Sequence, residues 1–263
     1  NFSRSELLVQ FSYFSANPNK ITMILIAVAT SIGGVGIPLL TENYVKGDFR
    51  AAGKLVQDNL TMLVAFLLPA TIGAVAIAEP LYTVFYGKPD SLALGLFILA
   101  MLQTIILGLY TVLSPMIQAL FQNRKAILYF GYGVLVKLIL QVPFIYFFKA
   151  YGPLLSTTIG LMIPIVLMYK EIHVVTKFNR KTVFKRSLLT AILTFIMLLV
   201  VLLSALILGF VLKPNGRVTS MVYVALIGGV GIVVYGGLGL RLRFLDRFIG
   251  SKAASLRNKF HIS

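Results

Sequence analysis

Five stretches of the chain run without a single charged residue: 21–40, 60–78, 92–113, 188–211 and 221–240. Two more, 126–148 and 153–174, are nearly as apolar and tolerate one inner charge or a charged end. A bilayer core takes about 20 apolar helical residues to cross. The pattern therefore predicts seven transmembrane helices in an all-α integral membrane protein. Closed barrels alternate in short segments and do not produce solid apolar runs. The first run is loosened by Gly33, Gly34, Gly36 and Pro38 just before it ends. That predicts a helix that bends at its end and lines a cavity, or one packed tightly against a neighbour. Asp48 then reads as the N-cap of a short second helix. With Phe49, Ala52 and Val56 on one face and Arg50, Lys54 and Asp58 on another, residues 46–58 read as an amphipathic elbow on the membrane surface.

Composition agrees with this reading. The chain is 58% hydrophobic and 12% charged, against about 45–50% and 25% for a soluble domain. Its net charge of +16 would suggest nucleic acid in a soluble protein. Here the bases follow the alternation of the loops. Lys46, Arg50, Lys54, Arg124, Lys125, Lys177, Arg180, Lys181, Lys185 and Arg186, with the six bases from Arg241 to Lys259, all fall on one side. By the positive-inside rule that side is cytoplasmic, the beginning of the segment is outside and the end is inside. Anionic membrane lipids are the expected partners of these loops, not nucleic acid. The chain opens on Asn1 with no basic-then-apolar leader, so its first residues read as the end of an upstream part. There are no cysteines, which excludes disulfides and thiolate metal sites.

Few residues carry candidate chemistry. Lys137 falls near the middle of 126–148, where a lysine costs about 2.5–3.5 kcal/mol to insert. It is expected either to face a cavity or to snorkel or pair structurally. Gln141 lies one turn along on the same face. Gln103 is mid-membrane and reads as a partner for a neighbouring helix or for a polar lumen. Glu42, at the inner end of the first span, reads as a cavity-mouth residue or a solvated helix end. The acids and the two histidines, His173 and His261, lie mostly in loops, and no pair has metal or acid–base spacing. The reading is a non-enzyme with no catalytic residues, no metal site and no cofactor.

Three segments in order resemble a known family. They are "IAVATSIGGVGIPLLTENYVKGDFRAAGKLV" (26–56), "LPATIGAVAIAEPLYTVFYG" (68–87) and "ALFQNRKAILYFGYGVLVKLILQVPFIYFFKAYGPLLSTTIG" (119–160). They are similar to the MurJ/YtgP-like and Wzx-like lipid-linked oligosaccharide flippases of the MOP exporter superfamily. The resemblance covers about 29–170, and the last two spans match only in hydropathy. It implies a protein of about fourteen helices, of which this chain holds the second lobe of a MATE/MurJ-like transporter plus two extra helices. The parts are then an outer segment 1–19, five helices over 20–174, a basic loop 175–187, two additional helices over 188–240 and a basic tail 241–263. The missing first lobe is an implied partner. So is the substrate, a lipid-linked cell-wall precursor such as lipid II or a glycan repeat on undecaprenyl diphosphate, moved by alternating access in a bacterial plasma membrane. Some relatives bind sodium through polar groups on two adjoining helices. Lys137, Gln141, Thr157 and Thr158 occupy that neighbourhood here, with sodium or protons as the coupling ion. Lys137 brings a positive charge where the metal would sit. A MATE-like exporter of cationic drugs and a non-transporting scaffold are the alternatives, and the former would need a mid-span acid.

Overall fold

The computed structural model describes residues 17–242 other than 213 and 215. The expected outer segment up to 16, the tail from 243 and His261 lie outside the described residues. Among the described residues all regular structure is helical: α1 (Asn17–Val35), α2 (Ile37–Val45), α3 (Phe49–Ala76), α4 (Ala78–Tyr86), α5 (Ser91–Ala119), α6 (Asn123–Phe148), a 3₁₀ turn (Lys149–Tyr151), α7 (Gly152–Thr176), α8 (Arg180–Val211) and α9 (Arg217–Arg241). Six continuous helical stretches are long and apolar enough to cross a membrane. One of them, Asn123–Thr176, has 54 residues, twice what a crossing needs, and it folds back on itself at the 3₁₀ turn into α6 and α7. The fold is thus an all-α membrane architecture with the seven apolar segments that the hydropathy predicts.

The chain divides into two compact units. The first holds residues up to 67 and 90–187. Its core joins Leu40 of α2, Ala52, Val56, Leu60, Leu63 and Leu67 of α3, Met116, Ile117 and Leu120 at the end of α5, and Met168 and Ile172 of α7. Those of α5 and α7 come from the basic ends of their helices, and those of α3 run from its basic end past its middle; Leu96, Ala100 and Leu154 form a smaller cluster at the opposite end. The second unit holds 68–89 and the residues from 188 onward. Its core is Ile77 with Met197, Val201, Tyr223 and Ile227. The Tyr223 hydroxyl donates to the Ala205 carbonyl at 3.0 Å, fastening α9 to α8. Residues 68–89, read above with the five-helix lobe, pack here on the last two helices. Gly73 contributes by admitting the Met197 methyl at van der Waals distance.

The elbow over 46–58 takes a different form from that expected. Asp48 does cap a helix, accepting from the Ala51 amide at 2.9 Å, but that helix is α3 and it continues unbroken to Ala76. No breaker lies between Asp48 and Pro69, and Ala52 and Val56 are completely buried in the core. The face meant for the membrane surface therefore belongs to protein packing. Phe49 leaves that face and sets its ring edge-on against Tyr44.

The first crossing is broken where the glycines and proline predict. α1 stops at Val35, and α2 starts at Ile37 with Pro38 in its first turn. Proline supplies no N–H and its ring crowds the carbonyl four residues back, so acceptors near Gly33 and Gly34 lose their helical donors. Asn59 of α3 fills part of the gap, its Nδ2 donating to the Gly33 carbonyl at 2.9 Å. Gly33 itself admits Val112, whose Cγ2 would lie 2.6 Å from an added Cβ. Gly36 admits the Asn59 amide, while Gly34 faces open space. Asn59→Ala is expected to cost about 1–2 kcal/mol, the penalty for an unsatisfied acceptor. The melting temperature in detergent is expected to fall by about 3 °C. An unchanged melt would mean that the break needs no donor from α3.

Candidate functional site

α6 and α7 form a closely apposed antiparallel hairpin. An added Cβ on Gly133 would lie 2.6 Å from the Gly160 carbonyl oxygen and 2.8 Å from Pro164 Cδ. An added Cβ on Gly160 would lie 2.8 Å from Lys137 Cβ. At the turn, a Cβ on Gly152 would meet the Phe144 carbonyl at 2.5 Å. Small residues let two backbones approach in this way where no hydrophobic effect drives helices together.

Lys137 stands on this seam. It lies about midway along α6 and is half-buried, with its Cβ packed against Gly160. Among the described residues it makes no ion pair. One turn along, the Gln141 amide lies 3.4 Å from the Ser156 hydroxyl of α7, which donates to the Pro153 carbonyl at 3.0 Å. Thr157 and Thr158, expected nearby, donate their hydroxyls to the backbone carbonyls of Pro153 and Leu154 at 2.7 and 2.8 Å. Their oxygens keep accepting capacity only. From α5, the buried Gln103 donates Nε2 to the Leu154 carbonyl at 3.1 Å. The stretch of α7 from Leu154 to Gly160 thus receives Lys137, Gln141 and Gln103 from two helices. The donor set is amide, hydroxyl and carbonyl, all neutral, with an ammonium beside it. Neutral oxygens of this kind can hold a monovalent cation, but the Lys137 ammonium beside them repels one.

Glu42 and the Gly33–Pro38 break belong elsewhere, on the first crossing. Glu42 is exposed and pairs with Lys46 one turn on. The face of α6 bearing Val134 and Leu138 is exposed, and so is the face bearing Leu135, Ile139 and Val142. Only Ala126 and Gly133 of α6 are buried. Burial within the chain therefore does not set the face of α6 that carries Lys137 and Gln141 apart from the rest of the helix.

Several polar contacts escaped the sequence reading. Glu171 of α7 takes Lys125 Nζ at 2.6 Å and the Tyr129 hydroxyl at 3.1 Å, closing the hairpin at its basic end. Asp58 pairs with Arg186 at 2.8 Å, not with Lys54. His173 Nδ1 meets the Phe178 carbonyl at 2.9 Å and serves the α7–α8 turn. The one available signal was an acid or amide placed at the edge of an apolar run, as in Asn59 and Glu171.

No family model matches the chain. It is 29% identical over 238 residues to the lipid II flippase MurJ of Bacillus subtilis (strain 168), a match that takes in 89% of this chain and 44% of that protein. Its fold superposes on a solved structure titled "Lipid II flippase MurJ, inward closed conformation" with a TM-score of 0.66 and 20% identity, over 91% of this chain and 47% of the other. The helical architecture is thus the one seen in that flippase. The chain spans about half the length of the proteins it matches, and over most of its own length it is similar to a MurJ flippase in sequence and in fold.

Proposed function

We propose that this chain is part of a flippase that carries a lipid-linked cell-wall precursor across the bacterial plasma membrane by alternating access. The substrate class is a glycan on a polyprenyl diphosphate, of which lipid II is one. The observation that carries the reading is Lys137: a half-buried, mid-membrane cation without an ion-pair partner among the described residues, set among neutral donors. Such a residue is costly unless it meets an anion or water, and a diphosphate head group is an anion. The similarity to a lipid II flippase supports the same reading. Transport of this kind makes and breaks no covalent bond, so the head group needs a polar path and the tail stays in lipid. In this scheme the Lys137 ammonium supplies the positive charge at the seam, beside Gln141, Thr157 and Thr158.

A drug exporter for cations would need an unneutralised acid within the spans. Glu171 is the acid most withdrawn from solvent among the three ion pairs, and it is neutralised by Lys125. The test is complementation: the full-length protein is expected to restore growth and outer-leaflet precursor in cells depleted of their flippase. Normal expression without rescue would defeat the proposal.

The orientation belongs to the same proposal, with the basic helix ends in the cytoplasm. Because the chain has no cysteine, single cysteines report sidedness directly. Ala52 is fully buried and unsuitable for labelling, whereas Arg50, Lys181 and Arg217 are exposed. Cysteines at positions 50 and 181 are expected to react only with a permeant reagent, and one at 217 with an impermeant one. An external label at 181 would reverse the topology.

A further inference from the structure

At the basic end of the first unit, the turn into α3 and the turn from α7 into α8 face each other across a cleft of about 610 Å³. Asp48, Arg50, Lys54 and Gln57 line it from α3, and Lys177 and Asn179 line it from the other turn. Gly53 sets the spacing, since an added Cβ would lie 2.7 Å from the Thr176 carbonyl oxygen. On the far wall Lys177 takes a left-handed conformation with φ of 51°, and Asn179 caps α8 by accepting from the Thr182 amide at 3.1 Å. The walls are therefore built by backbone packing and capping.

The charges of this cleft are unbalanced. Arg50 and Lys54 are one turn apart on one face of α3, and Lys177 looks in from across the gap. The nearest helical acid to Lys54, Asp58, is taken by Arg186. Asp48, the one carboxylate in the lining, is held in its cap by the Ala51 amide. Among the described residues none of the three cations has an ion-pair partner. α3 and α8 begin here and α7 ends here, so the helix ends add potentials of both signs and the side-chain cations carry the excess.

We propose that this cleft is a binding site for a phosphate group, that of an anionic phospholipid held at the membrane surface. Three exposed cations around an open, concave cleft suit a phosphodiester at the surface, with Arg50 able to make a two-pronged contact. The volume lies in the range of small-molecule sites, about 300–1,000 Å³, and is larger than a bare phosphate fills. Its level also fits, because the apolar run of α3 begins at residue 60, so the cleft is at the head-group edge of the crossing. The proposal goes beyond the flippase reading and does not rest on Lys137.

The experiment uses the full-length protein in nanodiscs with graded phosphatidylglycerol in phosphatidylcholine, counting retained anionic lipid by native mass spectrometry. Arg50→Gln/Lys54→Gln is expected to weaken phosphatidylglycerol binding about tenfold, because it removes two charge-assisted contacts to one phosphate. Lys181→Gln/Lys185→Gln removes the same charge outside the cleft and is expected to change it less than about twofold. Ala51→Phe fills the cleft without altering charge and is expected to weaken binding as the first pair does. Arg50→Lys/Lys54→Arg keeps both charges but moves the two-pronged donor one turn along, so it is expected to bind between the parent and the Gln pair, which separates lost charge from a folding defect. Millimolar inorganic phosphate distinguishes the sources: displacement of the lipid would show that the site accepts free phosphate, and no displacement would assign it to the lipid. Equal losses from both charge-removing pairs, with Ala51→Phe binding normally, would overturn the proposal in favour of diffuse surface attraction.

Discussion

Lys137→Ala is expected to remove most transport while leaving the protein in the membrane at the parental amount. The side chain has two separable parts. Its Cβ packs against Gly160 at the α6–α7 seam, and its ammonium is the one charge on this stretch of the hairpin. Lys137→Met keeps a stem of similar length without charge, so it is expected to fold as the parent and to transport as poorly as alanine. Lys137→Arg keeps the charge and is expected to retain partial function. A charge-assisted contact is worth about 1.5–3 kcal/mol, which is a loss of about tenfold or more in rate. Complementation and head-group translocation are measured with protein amount in parallel. Growth of Lys137→Met cells at the parental rate would make the lysine a packing residue and remove the main support for the transport site.

The second large effect is on folding. Gly133→Leu is expected to prevent the α6–α7 hairpin from closing. Even a methyl group there would sit 2.6 Å from the Gly160 carbonyl oxygen, a backbone atom that cannot rotate away, and 2.8 Å from the Pro164 ring. Overpacking of a close contact costs about 1–3 kcal/mol per site, and leucine adds three more carbons to the clash. Opening the seam would also pull Gln141 from Ser156 and Lys125 from Glu171. Protein yield and melting temperature are expected to fall together, by about 5 °C or more. Gly131→Leu is the control, because a Cβ at Gly131 meets nothing within 4 Å and the variant is expected to behave as the parent. A normal melt for Gly133→Leu would show that the helices need not approach so closely.

The crossings, their all-helical nature and the break near Pro38 were legible in the chain alone. Each depends on a local quantity: the transfer free energy of about twenty consecutive residues, or the missing N–H of one proline. The Asp48 cap was legible for the same reason, since a cap involves only the next three residues. Lys137 was singled out by cost, which also needs no knowledge of neighbours.

What the tertiary structure decided is which surface each helix shows to which partner. Glycines at 33, 34 and 36 look alike in sequence, yet the first meets Val112, the last meets Asn59 and the middle one meets nothing. The amphipathic pattern over 46–58 is equally consistent with a membrane surface and with a protein core. Only the tertiary core shared by α2, α3, α5 and α7 buries Ala52 and Val56. Helical spacing offered Lys54 to Asp58, but Arg186, 128 residues away, takes it. An exposed pair one turn apart is worth a few tenths of a kcal/mol, too little to hold a carboxylate against a half-buried guanidinium. Lys54 is thereby left unneutralised, and the basic cleft exists for that reason. Helix spacing determined where charges can stand along this chain; the contacts between distant helices decided which of them remain without a partner.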